Sequence, residues 1–176
     1  MTIEIRRAEE QDRNDFLRLW HRGWHDAHAG IVPTEILQFR TPEHFSLWLS
    51  QCTDRFYIAC NRASLVGFVS VKDTEIVKLY VAREARGTDV ARTLLSYAEK
   101  TLADDGVTVA HLFCTAGNHR AQRFYVREGW DLVETFEDNL WIPSDTTMQY
   151  SVQTHRYQKS LNEPDARPAE GSRLCS

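Results

Sequence analysis

The sequence predicts a mixed α/β domain, a sheet of about seven strands flanked by about four helices, and three observations lead there. Segments that alternate with a period of two interleave with segments of helical spacing, in the order β, α, α, β, β, β, α, β, α, β, β. Three strand segments follow one another in the middle without an intervening helix, which argues against a regular doubly wound sheet. A chain of 176 residues that is 42% hydrophobic suffices for one domain whose core needs no metal or disulfide staples. The domain is expected over residues 1–159, because "SLNEPDARPAEGSRLCS" from Ser160 on has almost no apolar residues and reads as a mobile tail outside the core.

Each element has its own signal. "IEIRRA" alternates like a first strand, and the segment after it switches to helical spacing, with Phe16, Leu19 or Trp20, Trp24 and Ala27 on one side. Gly30 and Pro33 break that helix, and Thr41 with Pro42 reads as the N-cap and first turn of a second helix through Leu49. "RFYIACNRASLVGFVSV" is a hairpin turning at Asn61 to Ser64, and "EIVKLYVA" is a further strand. Val90, Leu94, Leu95, Ala98 and Leu102 fall at helical spacing, with Gly106 suited to the turn that follows. "VTVAHLFCT" is a strand, Asn118 caps a short helix closed by Gly129, and "WDLVETF" and "TMQYSVQTHRY" supply the last two strands.

The formal charge of −4 is spread along the chain, with no Lys/Arg-rich block, so neither nucleic acid nor a membrane surface is an expected partner. Cys52, Cys60, Cys114 and Cys175 form no C-x-x-C pair and read as reduced thiols, which suits a cytoplasmic location. The first residues lack an apolar signal core, and no apolar run is long enough to span a bilayer.

The chemistry centres on "EARGTDVARTLL". A strand that feeds a turn and then a helix aims free backbone N–H groups and the positive end of the helix dipole at whatever sits above the turn, a geometry that binds anions. There is neither a G-x-x-x-x-G-K-[ST] loop nor a G-x-G-x-x-G fingerprint. Taken with its neighbours, residues 78–130, the segment resembles the centre of the GNAT superfamily of acyl-CoA-dependent N-acyltransferases. There a strand ending in "LYV" leads to a loop of form [QR]-x-x-G-x-[GA], matched at its ends by Arg86 and Ala91. An "N-x-R-A-x-x-F-Y-x-x-x-G-[FW]" helix follows, matched by Asn118, Arg120, Ala121, Phe124, Tyr125, Gly129 and Trp130.

The resemblance implies a mostly antiparallel sheet whose fourth and fifth strands splay apart, with acetyl-CoA lying in the gap and an amine as acceptor. It implies that the backbone of Leu79, Tyr80 and Val81 bonds the pantetheine arm. The N–H groups of Arg86, Gly87, Thr88, Asp89, Val90 and Ala91, with Arg92 beside them, would hold the pyrophosphate. Asn118 and Phe124 would contact the cofactor, and Tyr125 would reach the thioester sulfur. A homodimer through the last strands is a further implication. Asp89 departs from the pattern, standing where the family favours glycine. Two outcomes are open for it: pairing with Arg83 or Arg92, which leaves its N–H for phosphate, or capping its own helix in competition with the ligand.

Tyr125 is the candidate partner for the departing thiolate; the bland alternative is an aromatic packed beside Phe124. Glu75, at the start of the fourth strand, is the candidate base, with Asp73 as the alternative. His21, His25 and His28 share one helix face at i, i+4 and i+7, but nothing nearby completes a ligand set, so no metal is expected. Trp24, His25 and His28 are instead expected to line the acceptor pocket. The leading expectation is an acetyltransferase using acetyl-CoA; the alternative is a binding or regulatory protein of this fold whose CoA affinity Asp89 has weakened.

Overall fold

The structure, a computed structural model, describes residues 2–143 and 147–161. The strands are β1 (Ile3–Arg7), β2 (Arg55–Asn61), β3 (Ser64–Lys72), β4 (Glu75–Val81), β5 (Val109–Thr115), β6 (Asp131–Asn139) and β7 (Ser151–Ser160). The helices are α1 (Arg13–His28), α2 (Pro42–Gln51), α3 (Val90–Asp104) and α4 (His119–Arg127), with single-turn or 3-10 pieces at Glu10–Asp12, Thr34–Phe39 and Arg83–Ala85. The sheet order is β1-β2-β3-β4-β5-β7-β6, and every neighbouring pair is antiparallel except β4 with β5.

Local chemistry fixes the helix ends. Thr41 Oγ1 accepts the N–H of His44 at 3.3 Å while Pro42 occupies the first turn, so α2 starts where an orphan donor is satisfied. Asn118 Oδ1 accepts the N–H of Ala121 at 3.3 Å and starts α4. Along α1 the buried positions are Phe16, Trp20, Gly23 and Trp24, so of the two candidates Trp20, and not Leu19, points inward.

Two cores lie on opposite faces of the sheet. Under α3, Val90, Leu94, Leu95, Ala98 and Leu102 pack on Ala59, Val69, Ile76 and Leu112. Gly67 lets the helix come close there: a Cβ at that position would sit 2.8 Å from Leu94 Cδ1 and 3.1 Å from the Tyr80 carbonyl. Under α1 and α2 the core is aromatic, with Phe16, Trp20, Trp24, Phe45 and Phe68 buried together. Edge-to-face contacts such as Trp20–Phe45 at 5.1 Å order it.

The feature that positions the site is the junction of β4 and β5. They pair only at Glu75↔His111 and Ile76↔Leu112, and beyond that they part. A register shift opposite Ser70/Val71 leaves Val77 as the extra residue of a bulge in β4. The bulge reverses the parity of the strand: Ala82 donates to the Val66 carbonyl, so Tyr80 and Lys78 direct their main chain to β3, while Leu79 and Val81 direct theirs into the gap. Tyr80 therefore differs from the expected backbone role, because its amide and carbonyl are turned into the sheet.

Two boundaries differ from expectation. The last strand begins at Ser151, several residues after Thr147. It runs through Ser160, and the Leu161 N–H bonds the Thr108 carbonyl at 2.8 Å, so the ordered chain extends past residue 159. The remainder of the anticipated tail, with Cys175, lies outside the described residues. Among the described residues, no helix is long and apolar enough to cross a membrane.

Candidate active site

One cavity of about 1030 Å³ runs from the loop before α3, through the β4–β5 gap, to the aromatic face of α1. That volume is at the upper limit of ordinary small-ligand sites. Its two ends are built from different chemistry.

The loop end is a cradle of backbone donors. Gly87 has φ +77°, a left-handed turn that suits glycine, and the space where its Cβ would stand is open. Among the described residues, the N–H groups of Gly87, Thr88, Asp89, Ala91 and Arg92 have no hydrogen-bond partner, whereas the Val90 N–H has the Thr88 hydroxyl at 3.4 Å. Thr88 Oγ1 in turn donates to the Ala85 carbonyl at 2.6 Å, which fixes the turn. Arg86 is anchored rather than loose: Nε donates to the Val81 carbonyl at 3.3 Å and Nη2 to Asp26 at 2.8 Å. Free amides at a helix N-terminus beside fixed guanidinium charge are what a pyrophosphate needs, so the residues present fit acyl-CoA.

Asp89 follows neither of its two anticipated courses. Its carboxylate is exposed and makes no capping hydrogen bond. Arg92 Nε pairs with Glu128 at 3.2 Å instead of with Asp89, and no ion pair links Asp89 to Arg83 among the described residues. The reason is its backbone. With φ −76° and ψ 0°, Asp89 lacks the extended conformation from which an N-cap side chain reaches forward.

Opposite the loop, α4 brings Asn118, Phe124 and Tyr125 to the cavity wall. Asn118 caps its helix and also lines the cavity, so the capping bond does not remove it from the wall. The Tyr125 ring is 5.5 Å from Phe124 and 5.9 Å from Tyr157, and burial pushes its phenol well above the usual range. It is thus a neutral donor at any working pH. Trp130, which closes this motif, is an anchor: its Nε1 donates to Glu99, a carboxylate also held by Lys159, which ties α4 to α3 and β7.

At the far end, Trp24 and His28 line the cavity. His25 does not: His21 and His25 both donate Nε2–H to the Arg40 carbonyl, at 3.1 and 2.9 Å. His28 donates Nδ1–H to the Trp24 carbonyl at 3.0 Å and stacks on the Trp24 ring. The histidine stripe therefore grips backbone carbonyls. Burial lowers the His28 pKa to about 4, and burial together with the nearby Arg40 charge lowers that of His44 to about 4. Trp48 and Trp141 stack at 5.7 Å, and Cys114, its thiol pushed up to about 12 by burial, lines the wall near the gap.

Glu75 lies outside the cavity lining, at the closed end of the gap, with its carboxylate 3.7 Å from His111 Nε2. Burial raises its pKa and the Lys78 charge opposes the rise. Asp73, the alternative base, is an exposed turn residue at φ 51°. Neither acid touches the place where an amine would sit.

Several residues of the cavity wall escaped sequence reasoning. Arg123 and Arg127 join Arg120 on the wall, and their helical spacing in "HRAQRFYVR" is a signal that could have found them. Lys78, Arg40, Trp48 and Trp141 converge from four separate segments, for which no local pattern exists.

Comparison with known proteins agrees with this geometry. The family model described as the acetyltransferase (GNAT) family matches residues 12–130. A spermidine N(1)-acetyltransferase of Thermoplasma acidophilum is 26% identical over 148 residues, 77% of this chain and 92% of that protein. An uncharacterized N-acetyltransferase of Archaeoglobus fulgidus is 28% identical over 138 residues, 72% of this chain and 91% of that one. The crystal structure of the PaiA N-acetyltransferase of T. acidophilum in complex with coenzyme A superposes with a TM-score of 0.62 at 22% identity, covering 88% of this chain and 98% of that one.

Proposed function

Because the chain belongs to the acetyltransferase (GNAT) family, acyl-CoA-dependent enzymes, we propose that it moves the acetyl group of acetyl-CoA to a small-molecule amine by direct attack, with Tyr125 assisting thiolate departure. The observation that carries this reading is continuity: one cavity joins the free amides of the loop, the unpaired edge of β4 and the Tyr125 ring to a pocket beyond. The spermidine acetyltransferase relative supports a small amine as acceptor.

The residues divide the work along that path. The N–H groups of Gly87, Thr88, Asp89, Ala91 and Arg92 hold the pyrophosphate, with Arg86 and the arginines of α4 supplying the surrounding positive charge. Leu79 presents its main-chain N–H and C=O, and Val81 its N–H, to the pantetheine arm, as a neighbouring strand would, the Val81 carbonyl being held by Arg86. Where the gap widens, the β4 backbone beside the Val77 bulge is the donor for charge that builds on the thioester oxygen.

Tyr125 acts by hydrogen bonding more than by complete proton transfer. An ordinary phenol has a pKa of about 10 against about 8.5 for a thiol, so protonating a thiolate costs roughly 2 kcal/mol even before burial. Burial raises the Tyr125 phenol further and makes full transfer less favourable still. The amine must lose a proton, and Glu75, with its carboxyl raised by burial, serves as the sink at one remove through water.

The test is direct. Calorimetry and thermal shift with acetyl-CoA are expected to show binding, and a free-thiol assay over a panel of amines to show turnover. No heat and no shift at near-millimolar acetyl-CoA would remove the transferase reading and leave a fold whose loop has lost its cofactor.

A further inference from the structure

Two cations line the pocket beyond the gap, and they differ in one respect. Lys78 Nζ has the buried carboxylate of Asp54 at 2.7 Å, which also accepts from the Ser70 hydroxyl at 2.8 Å. Arg40 has no such partner. It is 2% exposed, its guanidinium lies 5.1 Å from the centre of the Trp24 ring and 5.5 Å from that of Trp48, and Nη1 donates to His44 Nε2 at 3.2 Å. The buried Nε has no hydrogen-bond partner, and no acid pairs with Arg40 among the described residues.

A buried cation without an anion is costly, and the aromatic faces offset only part of that. Burial lowers the Arg40 pKa only to about 10, so the guanidinium stays charged at neutral pH. The nearby His28 and His44 are held neutral and add no further positive charge. The residue is also held in place: two histidines of α1 clamp its carbonyl, and its N–H bonds the Leu37 carbonyl at 3.0 Å. With Nη1 taken by His44 and Nε buried, Nη2 is the corner of the fork left to donate a charge-assisted N–H···O bond to a carboxylate.

We infer that Arg40 is the specificity-determining residue of the acceptor end, and that the acceptor is an amine that also bears a carboxylate. The carboxylate lies on Arg40, the apolar body lies among Trp24, Trp48 and Trp141, and the amine faces the gap. This rests on the transferase reading above and deepens it. A polyamine would bring further positive charge against Arg40, where the only acids on the cavity wall are the exposed Asp89 and Asp138 among the described residues.

The experiment uses amines in pairs: α-amino acids, and the same amines lacking only the carboxylate, with spermidine alongside, each assayed with acetyl-CoA by free-thiol release. The carboxylated member is expected to have the higher kcat/KM by about tenfold or more, chiefly through KM. Arg40→Met is expected to erase that preference and Arg40→Lys to retain part of it, with circular dichroism and acetyl-CoA affinity reporting whether each variant is folded. Equal or better turnover of the decarboxylated amines or of spermidine by the wild-type chain overturns the inference. So does a preference that survives in Arg40→Met. Should Arg40→Met not fold, the wild-type pairs decide alone.

A separate arm keeps the inference apart from the transferase reading. Phenylacetate and phenylacetamide are titrated into the CoA-saturated wild-type protein, and only the carboxylate is expected to bind. Binding of the carboxylate without turnover of any amine leaves Arg40's role standing and the transferase reading fallen; turnover without carboxylate binding does the reverse.

Discussion

The two ends of the cavity are built on different principles. The cofactor end is mostly backbone: the free amides of Gly87, Thr88, Asp89, Ala91 and Arg92, the edge of β4 that β5 leaves at Leu79 and Val81, and a helix start. The acceptor end is side chains from α1, the turn at Arg40, α2 and the stretch after β6, packed as an aromatic box around a cation. A backbone site is tolerant of what its side chains are and strict about conformation, whereas a side-chain site is the reverse. Substitutions at the first end should therefore act through geometry and charge near the phosphates, and changes at the second through titration and packing.

The largest effect is expected where the two ends meet. Tyr125→Phe removes only a hydroxyl from a buried ring, so the fold and the acetyl-CoA affinity should persist while kcat falls by about 10- to 100-fold. Steady-state kinetics paired with calorimetry checks this. Unchanged turnover would reduce Tyr125 to a packed aromatic. Next comes Gly87→Val. Its Cβ would meet nothing, so any loss must come from the positive φ and from blocking close approach of a phosphate. A β-branched residue is strained there, and the acetyl-CoA Kd should rise about tenfold or more with little change in the turnover of bound substrate. If kcat falls and Kd does not, the backbone account of this end is broken.

The same division explains what the sequence made legible. Strand, loop, helix and capped helix from Leu79 to Trp130 are contiguous and depend on local rules, so Asn118 at its cap, Gly87 at its turn and Tyr125 on its helix could all be located. The β4–β5 pairing ends at Ile76, next to the bulge at Val77, for which "EIVKLYVA" carries no sign, and so the inward turn of the Tyr80 main chain was hidden. Arg40 was invisible for a different reason. Its partners Trp24, His44 and Trp48 lie on two helices, and a buried arginine without an acid runs against the usual expectation that arginine stays at the surface. The histidine stripe was visible, but that His21 and His25 hold the Arg40 carbonyl while His28 holds that of Trp24 needed the fold.

Stability against pH separates the ends next. His28 and His44 are depressed from 6.5 to about 4, so the folded chain binds fewer protons than the unfolded one in that window. Their contribution is whole above pH 6.5 and is lost as pH falls toward 4, each adding a slope of at most about 1.4 kcal/mol per pH unit. Glu75, whose pKa is raised, works the other way, its unfavourable burial being relieved as it takes up a proton. Urea unfolding from pH 7.5 down to pH 5 is expected to show falling stability, and His44→Gln to show a shallower fall. A pH-independent midpoint would mean that the acceptor end is wetter than its packing implies.

The smallest effect is expected at Asp89, and it tests whether the backbone end really tolerates its side chains. The carboxylate is exposed and unpaired, and it does not cap α3, so Asp89→Gly removes one negative charge from the phosphate neighbourhood without breaking a bond. In water-like surroundings one unit charge at contact distance is worth about 1 kcal/mol, and the Debye length of about 8 Å at physiological salt trims that further. Glycine in the N-cap position costs a few tenths of a kcal/mol at most. Acetyl-CoA should therefore bind about two- to fivefold more tightly to Asp89→Gly, with the gain shrinking as salt is raised. A gain that resists salt would point to steric obstruction, with the Asp89 backbone held away from the phosphate. A loss would mean that the carboxylate takes part in binding, through a partner that arrives only with the cofactor.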